Sequence, residues 1–451
     1  MQKKSENWWS IAGVVGLALA LPIFLRGINY LQRLWVGAEG RLAAISVSTE
    51  RELGPMPAPW KAMAQGGFEV KNFLDGNEEK IKSLGPEQIR IDHIYDQFGV
   101  VTRREGKLEF DWSNLDRTVD GILAVGAQPF LVLSYMPEAI AKEPPSGEDK
   151  TLQGPVNWDE WANVVQRTIE HYSGEKGLGN VYYEVWNEPD LFGKWRMGGR
   201  KDYRLLYAYS ARGAAAARGV RPFKLGGPAT TGLYKNWTDQ FLEYVLKNRL
   251  RLDFYSWHRY ERGVEKYTAD ISNIDGWLDR HPYFSQVEKS ISETALSSEK
   301  NGGNNSKVGA VQLIATAREL LYKVRYGFNF SVVGESFGIL GTPRENALKM
   351  LSQLGQARLP VDGEGTWVRA IAAKNRDGVQ VVIVNYDPKG EHSEVVPVTF
   401  LGLTPGKYVI REMYLGGVVT TREMATDAAM WQKEIPMTPN SAVLLELEPK
   451  L

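Results

Sequence analysis

The chain has 451 residues, with 54 basic and 54 acidic side chains, five histidines and no cysteine. The balanced charge argues against a general nucleic-acid surface and a strongly steered polyanionic substrate, although a local basic patch remains open. The lack of cysteine excludes disulfides and cysteine-ligated zinc, and no histidines are paired as in HExxH, so neither a metal nor another cofactor is predicted.

The N-terminus carries an uncharged apolar segment. The 19 residues from Asn7 to Leu25 contain no charged side chain and follow Lys3 and Lys4. A helix of this length spans about 28 Å, close to the thickness of the hydrocarbon layer. Because no small-x-small cleavage site directly follows Leu25, residues 1–30 are predicted to be an uncleaved membrane anchor, with the remaining chain periplasmic or extracellular. An amphipathic or core helix is the alternative.

An alternation of strand and helix patterns fills the middle of the chain. Residues 31–60 are predicted to be a stalk or linker that ends in a proline-rich stretch. Helical patterns separate most of the following strands, so residues 61–357 are predicted to form a (β/α)8 barrel of the α/β class. The predicted strands are Gly67–Phe73, Gln88–Ile94, Gln128–Ser134, Val181–Trp186, Phe223–Gly227, Asp253–His258, Ser290–Ser292 and Phe328–Gly334.

The last part of the chain has a different pattern. Residues 358–451 contain strand-like segments separated by Gly, Asp and Pro turns. This spacing predicts a C-terminal antiparallel β-sandwich.

The most informative motif is Trp-Asn-Glu-Pro at residues 186–189. Pro189 cannot donate to a sheet, so the fourth predicted strand ends where Glu188 emerges. Catalytic groups of a (β/α)8 barrel lie at that end of the strands, which makes Glu188 a candidate catalytic acid/base. The alternative is a helix N-terminus with Asn187 as its cap.

A second carboxylate follows the seventh predicted strand. Glycoside hydrolysis needs two carboxylates that face each other across the bond, and Glu293 follows Ser290–Ser292 directly. Glu293 is therefore the candidate nucleophile. Glu288, Glu299 and Glu335 are its nearby competitors.

Further polar groups lie at the ends of predicted strands, where a substrate would bind. Arg90 and Asp92 close the second strand, and His258 and Tyr260 close the sixth. Arg90 is expected to contact a catalytic carboxylate, with a structural salt bridge as the alternative. Asn187 is expected to hydrogen-bond the sugar 2-hydroxyl. The aromatic residues predicted to stack on sugar rings, each with core packing as the alternative, are Tyr135, Trp186, Trp195 and Trp257.

Taken together, these motifs resemble those of clan A retaining glycoside hydrolases. They are most similar to family 39, which includes β-xylosidases, α-iduronidases and bacterial exopolysaccharide glycosidases, and the resemblance covers residues 64–355. It implies a general acid/base role for Glu188 and a nucleophile role for Glu293. The segments that carry it are Arg90-Ile91-Asp92, residues 128–139, Val185–Asp190 with Trp195, Gly226–Ala229, Asp253–Tyr260 and Ile291-Ser292-Glu293.

Two departures from the family pattern concern the substrate. No aromatic residue follows Glu293, and no tryptophan lies in the eighth predicted strand. With the predicted anchor, the resemblance implies a membrane-linked retaining glycosidase that acts on a poly- or oligosaccharide, specifically an exopolysaccharide. The alternative is a non-catalytic carbohydrate-binding or scaffold protein of a polysaccharide assembly. The sequence leaves protein partners open.

Overall fold

The computed structural model describes residues 40–145, 147–376 and 378–450. The predicted anchor lies outside these ranges, and the exported location inferred from it therefore stays a prediction. Within the described ranges, no helix is long and apolar enough to cross a bilayer.

Eight parallel strands close into a barrel, which confirms the predicted barrel fold. Each strand pairs with the next one along the chain, and the eighth pairs with the first. Their carboxyl ends therefore form one face of the barrel. The strands are Ala62–Gln65, Gln88–Ile91, Gln128–Leu133, Val181–Val185, Phe223–Thr230, Phe254–Tyr260, Glu288–Ala295 and Tyr326–Phe330.

The first barrel strand differs from the prediction. It is Ala62–Gln65, whereas the predicted segment begins with a 3-10 helix, Gly67–Lys71. Ala62 and Ala64 are small because they pack against the bulky rings that fill the barrel interior, such as Phe130. Small alanines give a weaker strand signal than the β-forming residues that follow, so the sequence pattern shifted the strand.

Helices surround the barrel and pack their apolar faces against it. The main helices are Glu78–Leu84, Ser113–Ala124, Trp158–Ile169, Tyr203–Ala216, Lys235–Lys247, Val264–Leu278, Lys307–Leu320 and Pro343–Ser352. Several of these helices have a side-chain cap at their N-terminus; for example, Asp202 accepts a hydrogen bond from the N–H of Arg204. A short hairpin, Val101–Arg104 with Lys107–Phe110, follows the second barrel strand.

The C-terminal region packs two sheets around its own apolar core. The six-stranded sheet contains, in spatial order, Ala357–Arg358, Val368–Lys374, Val379–Asn385, Ser441–Pro449, Gly406–Tyr414 and Val419–Thr426. The four-stranded sheet contains, in spatial order, Val361–Asp362, Ile45–Ser48, Glu394–Leu401 and Met430–Met437.

One strand of this sandwich comes from the segment predicted as a stalk. Ile45–Ser48 lies inside the four-stranded sheet, where it pairs in parallel with Glu394–Leu401. Ile45 and Val47 are buried. The described chain thus contributes one strand to the sandwich before the barrel and the other sandwich strands after it.

Candidate active site

The catalytic candidate Glu188 lies at the carboxyl end of the fourth barrel strand, Val181–Val185. Trp186 and Glu188 have φ angles of 71° and 43°, a left-handed conformation that is uncommon for residues with side chains. The Glu188 N–H donates to the carbonyl of Ala229, after the cis peptide bond between Gly227 and Pro228. Left-handed conformations of residues with side chains persist only where surrounding contacts hold them, and they occur often at functional sites.

The carboxylates of Glu188 and Glu293 face each other across the barrel end. Nδ1 of His258 lies 2.8 Å from Oε1 of Glu188 and 3.4 Å from Oε2 of Glu293. One oxygen of each carboxylate and a ring nitrogen of His258 lie within 4.8 Å of one another. The two carboxylates thus approach each other more closely than the roughly 6.5–9.5 Å of inverting glycosidases, which is compatible with the roughly 5–5.5 Å of retaining ones.

Arg90 lies inside the barrel and connects three side chains of the site. Its fully buried guanidinium donates to Glu293 Oε1 at 2.7 Å, Glu184 Oε2 at 2.7 Å and Asn187 Oδ1 at 2.8 Å. Burial opposes the charge on Arg90, but the carboxylates of Glu184, Glu293 and Asp92 outweigh it and raise the Arg90 pKa. This fork orients the candidate nucleophile and holds Asn187 beside it.

Glu184 is a component of the site that sequence reasoning missed. It is fully buried within the fourth strand, and its Oε1 has no hydrogen-bond partner in the described part of the chain. Tyr182, two residues earlier, packs among the rings inside the barrel. Because strand side chains alternate, Glu184 faces inward like Tyr182. This two-residue alternation could have predicted from the sequence that Glu184 lies inside the barrel.

His258 and Tyr260 contact the two carboxylates from the sixth strand. Burial opposes protonation of His258, but Glu293 and Glu188 outweigh it and raise the His258 pKa. Tyr260 donates its hydroxyl to Glu293 Oε2 at 2.5 Å. Burial and the nearby Glu293 charge raise the Tyr260 pKa well above its usual value, so this hydroxyl stays a donor.

Asn187 and Asp92 form the polar floor of the cavity above Arg90. Nδ2 of Asn187 donates to Asp92 Oδ2 and to the Tyr135 hydroxyl, both at 3.2 Å. Burial raises the pKa of Asp92 to about 6, although His93 and Arg90 partly oppose this effect. Oδ1 of Asp92 has no hydrogen-bond partner among the described residues.

A cavity of about 640 Å³ opens above both carboxylates. Tyr135, predicted to stack on a sugar ring, lines this cavity, with Asp92, Asn187 and Tyr260. Sequence reasoning missed other lining residues. Each of them lies at or shortly after the carboxyl end of a barrel strand, and this position could have predicted that it lines the cavity. They include His93, Phe192, Tyr234, Arg259, Phe330 and Phe337.

Three aromatic residues predicted to stack on sugars are buried in the core instead. Trp186 donates its indole N–H to the carbonyl of Phe192, and its ring packs edge-on against Trp195. Trp257 donates to Asp270 at 3.1 Å. All three indole side chains are 0% exposed, and none lines the cavity. In the sixth strand, Trp257 alternates with inward-facing His258, so its ring points to the surrounding helices.

The chemical types of Glu188, His258 and Glu293 would also suit a metal ion. However, the cation of Arg90 already contacts Glu293, and a raised pKa favours a protonated His258. The Arg90 charge, and a proton on His258, both oppose binding of a metal cation. The donor set therefore fits an acid/base pair better than a metal centre.

Comparison with known proteins identifies relatives along this region. The family model of glycosyl hydrolases family 39 matches residues 43–298. A beta-xylosidase of Caldicellulosiruptor saccharolyticus is 32% identical over 235 residues, which cover 49% of this chain and 46% of that protein. A beta-xylosidase of Geobacillus stearothermophilus is 31% identical over 205 residues, 42% of this chain and 39% of that protein. The chain thus spans less than half the length of these relatives.

Solved structures share the fold over almost the whole chain. A monomeric beta-xylosidase from Caulobacter crescentus CB15 has a TM-score of 0.78 at 20% identity, over 91% of this chain and 100% of that one. A GH39 enzyme from Xanthomonas axonopodis pv. citri has a TM-score of 0.75 at 19% identity, over 92% and 99% of the two chains. Because the family model covers more than half of the chain, from the sandwich strand to beyond Glu293, the chain belongs to glycosyl hydrolases family 39.

Proposed function

We propose that this chain is a retaining glycoside hydrolase that cleaves an O-glycosidic bond by double displacement. The observation that carries the proposal is the pair of Glu188 and Glu293 carboxylates, which have oxygens within 4.8 Å of each other at the base of an open cavity. A protein that only binds sugars has no need of this opposed pair. Membership of family 39 supports the same chemistry.

The reaction assigns one role to each carboxylate. Glu293 attacks the anomeric carbon while Glu188 donates its proton to the departing glycosidic oxygen, so the C–O bond breaks as the ester bond to Glu293 forms. Glu188 then takes a proton from water, and the hydroxide oxygen displaces Glu293 from the anomeric carbon. Two inversions at this carbon retain its configuration.

The surrounding groups prepare Glu293 and the sugar for these steps. Arg90 and Tyr260 each donate to a different oxygen of Glu293, which fixes the carboxylate plane before attack. Asn187 is held by Arg90 beside the nucleophile, where its amide can bind the sugar 2-hydroxyl. Such a hydrogen bond strengthens in the oxocarbenium-like transition state.

The site and the relatives together support a substrate class to test. Asp92 lines the cavity, where its carboxyl group can hydrogen-bond a sugar hydroxyl. Two relatives are named beta-xylosidases, so a β-xyloside is the first substrate to test. The predicted anchor favours an exopolysaccharide as the natural substrate.

Trapping the covalent intermediate tests the mechanism. The full-length protein is incubated with 2-deoxy-2-fluoro-β-xylosyl fluoride and other activated 2-fluoro glycosides, digested and analysed by mass spectrometry. A fluoroglycosyl adduct on the peptide that contains Glu293, absent from Glu293→Gln, is the expected result. An adduct on another carboxylate would contradict the assigned nucleophile. Hydrolysis with inverted configuration would contradict the double displacement.

A further inference from the structure

A second cleft lies beside the catalytic cavity on the same face of the barrel. It has a volume of about 630 Å³ and is formed by residues within 142–145 and 147–154, after the third barrel strand, and within 191–201, after the fourth. Leu191 lines both this cleft and the catalytic cavity, and it is 55% exposed. A polymer held in the catalytic cavity can therefore continue across Leu191 into the second cleft.

Basic side chains dominate the functional groups of this cleft, which we call the basic cleft. They outnumber its three acidic residues: Glu143 contacts Lys150, Asp149 accepts hydrogen bonds from Thr151, and Glu148 accepts one from Gln153. The basic residues that line it are Lys142, Lys194, Arg196, Arg200 and Lys201.

Most of this positive charge has no counter-ion in the described part of the chain. Lys142, Lys194 and Arg200 make no ion pair there, and the side chain of Arg196 donates only to the carbonyl of Trp195. Lys201 lies 3.8 Å from Glu148. Burial and the neighbouring Lys194 lower the pKa of Lys201 despite Glu148, as expected where like charges gather.

The loop that carries these charges is fixed in place. Gly193 has a φ of 93°, and a Cβ there would lie 2.6 Å from the indole nitrogen of buried Trp195. Further along, Arg196 and Lys201 are joined by a backbone hydrogen bond of 2.9 Å. These contacts hold the backbone from which the cationic side chains project, which lowers the backbone part of the entropy cost of binding.

The basic cleft adjoins the catalytic centre on the side of Glu188. The proposed acid/base Glu188 protonates the oxygen of the departing sugar, so the leaving group lies next to it. The backbone N–H groups of Leu191 and Phe192 both donate to the carbonyl of Glu188, at 2.9 and 2.7 Å. The chain therefore leads directly from Glu188, through Leu191, into the basic cleft.

We propose that the basic cleft binds the leaving-group part of an anionic polysaccharide, whose sugars carry carboxylate or sulfate groups. This inference rests on the proposed glycosidase function and specifies its substrate. Arginine and lysine bind such groups by charge-assisted hydrogen bonds, which weaken as salt screens them. The near-zero net charge of the whole chain is compatible with this role because the excess positive charge is local.

Affinity electrophoresis in native gels tests this inference with the full-length protein. The gels contain polygalacturonate, dextran sulfate or neutral dextran, at low salt and at 0.5 M NaCl. The variants are Lys194→Gln/Arg200→Gln and the charge reversal Lys194→Glu/Arg200→Glu. A matched control, Lys247→Gln/Arg249→Gln, removes the same charge from exposed positions outside the cleft, at the end of the helix Lys235–Lys247. Melting temperatures check that each variant folds.

At low salt, we expect at least tenfold tighter apparent binding to an anionic polymer than to dextran. The Gln variant should lose at least fivefold in that affinity, the Glu variant more, and the control should match the parent protein. Comparison of polygalacturonate with dextran sulfate identifies the anionic group. Equal binding to all three polymers, or equal losses of affinity in the cleft variants and the control, would overturn the inference.

Hydrolysis of an aryl glycoside is measured separately. If aryl glycoside hydrolysis persists while binding to anionic polymers is absent, only this inference fails. If anionic polymers bind but no aryl glycoside is hydrolysed, only the proposed function fails.

Discussion

At the residue scale, the site combines one buried guanidinium with several carboxylates. Arg90 contacts Glu184, Glu293 and Asn187, and His258 lies between Glu188 and Glu293. Each positive charge is shared by two carboxylates, which limits the cost of burying them. The two catalytic candidates have different contacts, so their replacement should have different effects.

We expect Glu293→Gln and Glu188→Gln to fail at different steps. Without Glu293 no glycosyl-enzyme forms, so activity should fall by several orders of magnitude for every leaving group. Without Glu188, an aryl glycoside with a good leaving group should still form the intermediate, because that group needs no proton. Azide should then restore turnover of Glu188→Gln and yield a glycosyl azide with retained configuration.

Steady-state kinetics and NMR of the azide products check this pair of variants. For Glu293→Gln, azide can yield only the inverted product. Full activity of either variant on a cleaved polysaccharide would show that its role is assigned wrongly.

Asp92 should make stability depend on pH. Its folded-state pKa is about 6, against 3.8 for a free aspartate, because burial disfavours its charge. This raised pKa favours the folded state fully below pH 3.8, and that contribution is lost as the pH rises through 6. The loss is roughly 2–3 kcal/mol, and Asp92→Asn should remove it. Urea unfolding at pH 4.5 and 7.5 measures the difference, and an equal pH effect in both proteins would contradict it.

At the element scale, strand ends and helix contacts decide how the site is presented. Catalytic groups come from the second, fourth, sixth and seventh barrel strands, and only the closed barrel brings these ends together. The helices that hold the strands pack closely. A Cβ on Gly213, in the helix Tyr203–Ala216, would lie 2.2 Å from the carbonyl oxygen of Ala162 in the helix Trp158–Ile169.

Two glycine-to-alanine changes should therefore have opposite effects on stability. Gly213→Ala forces the two helices apart and should lower the free energy of unfolding by roughly 1–3 kcal/mol. Gly276→Ala is the matched control, since Gly276 is exposed in the helix Val264–Leu278 and has open space around its Cβ position. It should stabilise the protein by up to about 1 kcal/mol. Chemical denaturation measures both, and equal shifts would refute the packing argument.

At the scale of the whole molecule, the two ends of the described chain meet in one sandwich. Ile45–Ser48 lies between Val361–Asp362 and Glu394–Leu401. Arg318 of a barrel helix also forms an ion pair with Glu364, close to this sheet. The sandwich therefore depends on residues from both sides of the barrel sequence.

Removal of the N-terminal strand should destabilise the protein. A chain that starts at residue 50 lacks Ile45 and Val47, whose burial contributes roughly 3–6 kcal/mol together. Its melting temperature should be lower, on the order of 10 °C, than that of a chain that starts at residue 40. Calorimetry of both truncated chains measures this difference. Equal melting temperatures would mean that the strand is dispensable.

Much of this molecule was determined locally by the sequence. Strand and helix periodicity predicts the barrel because each element needs one buried face. The strand end after Val185 and the carboxylate that follows Ser290–Ser292 indicate the catalytic pair, although the seventh strand continues through Glu293 to Ala295. Even so, Ala62–Gln65 and the exposed Val419–Thr426 gave too weak an apolar pattern to be found.

Other features were decided only by the tertiary structure. Whether a tryptophan near a strand end faces the cavity or the core depends on barrel closure, and Trp186, Trp195 and Trp257 all lie in the core. The contacts of Arg90 with Glu184 and Glu293 span 94 and 203 positions of sequence. Likewise, the basic cleft joins loops from two strands. No local pattern encodes such pairings, because they arise only when distant strand ends meet on one face.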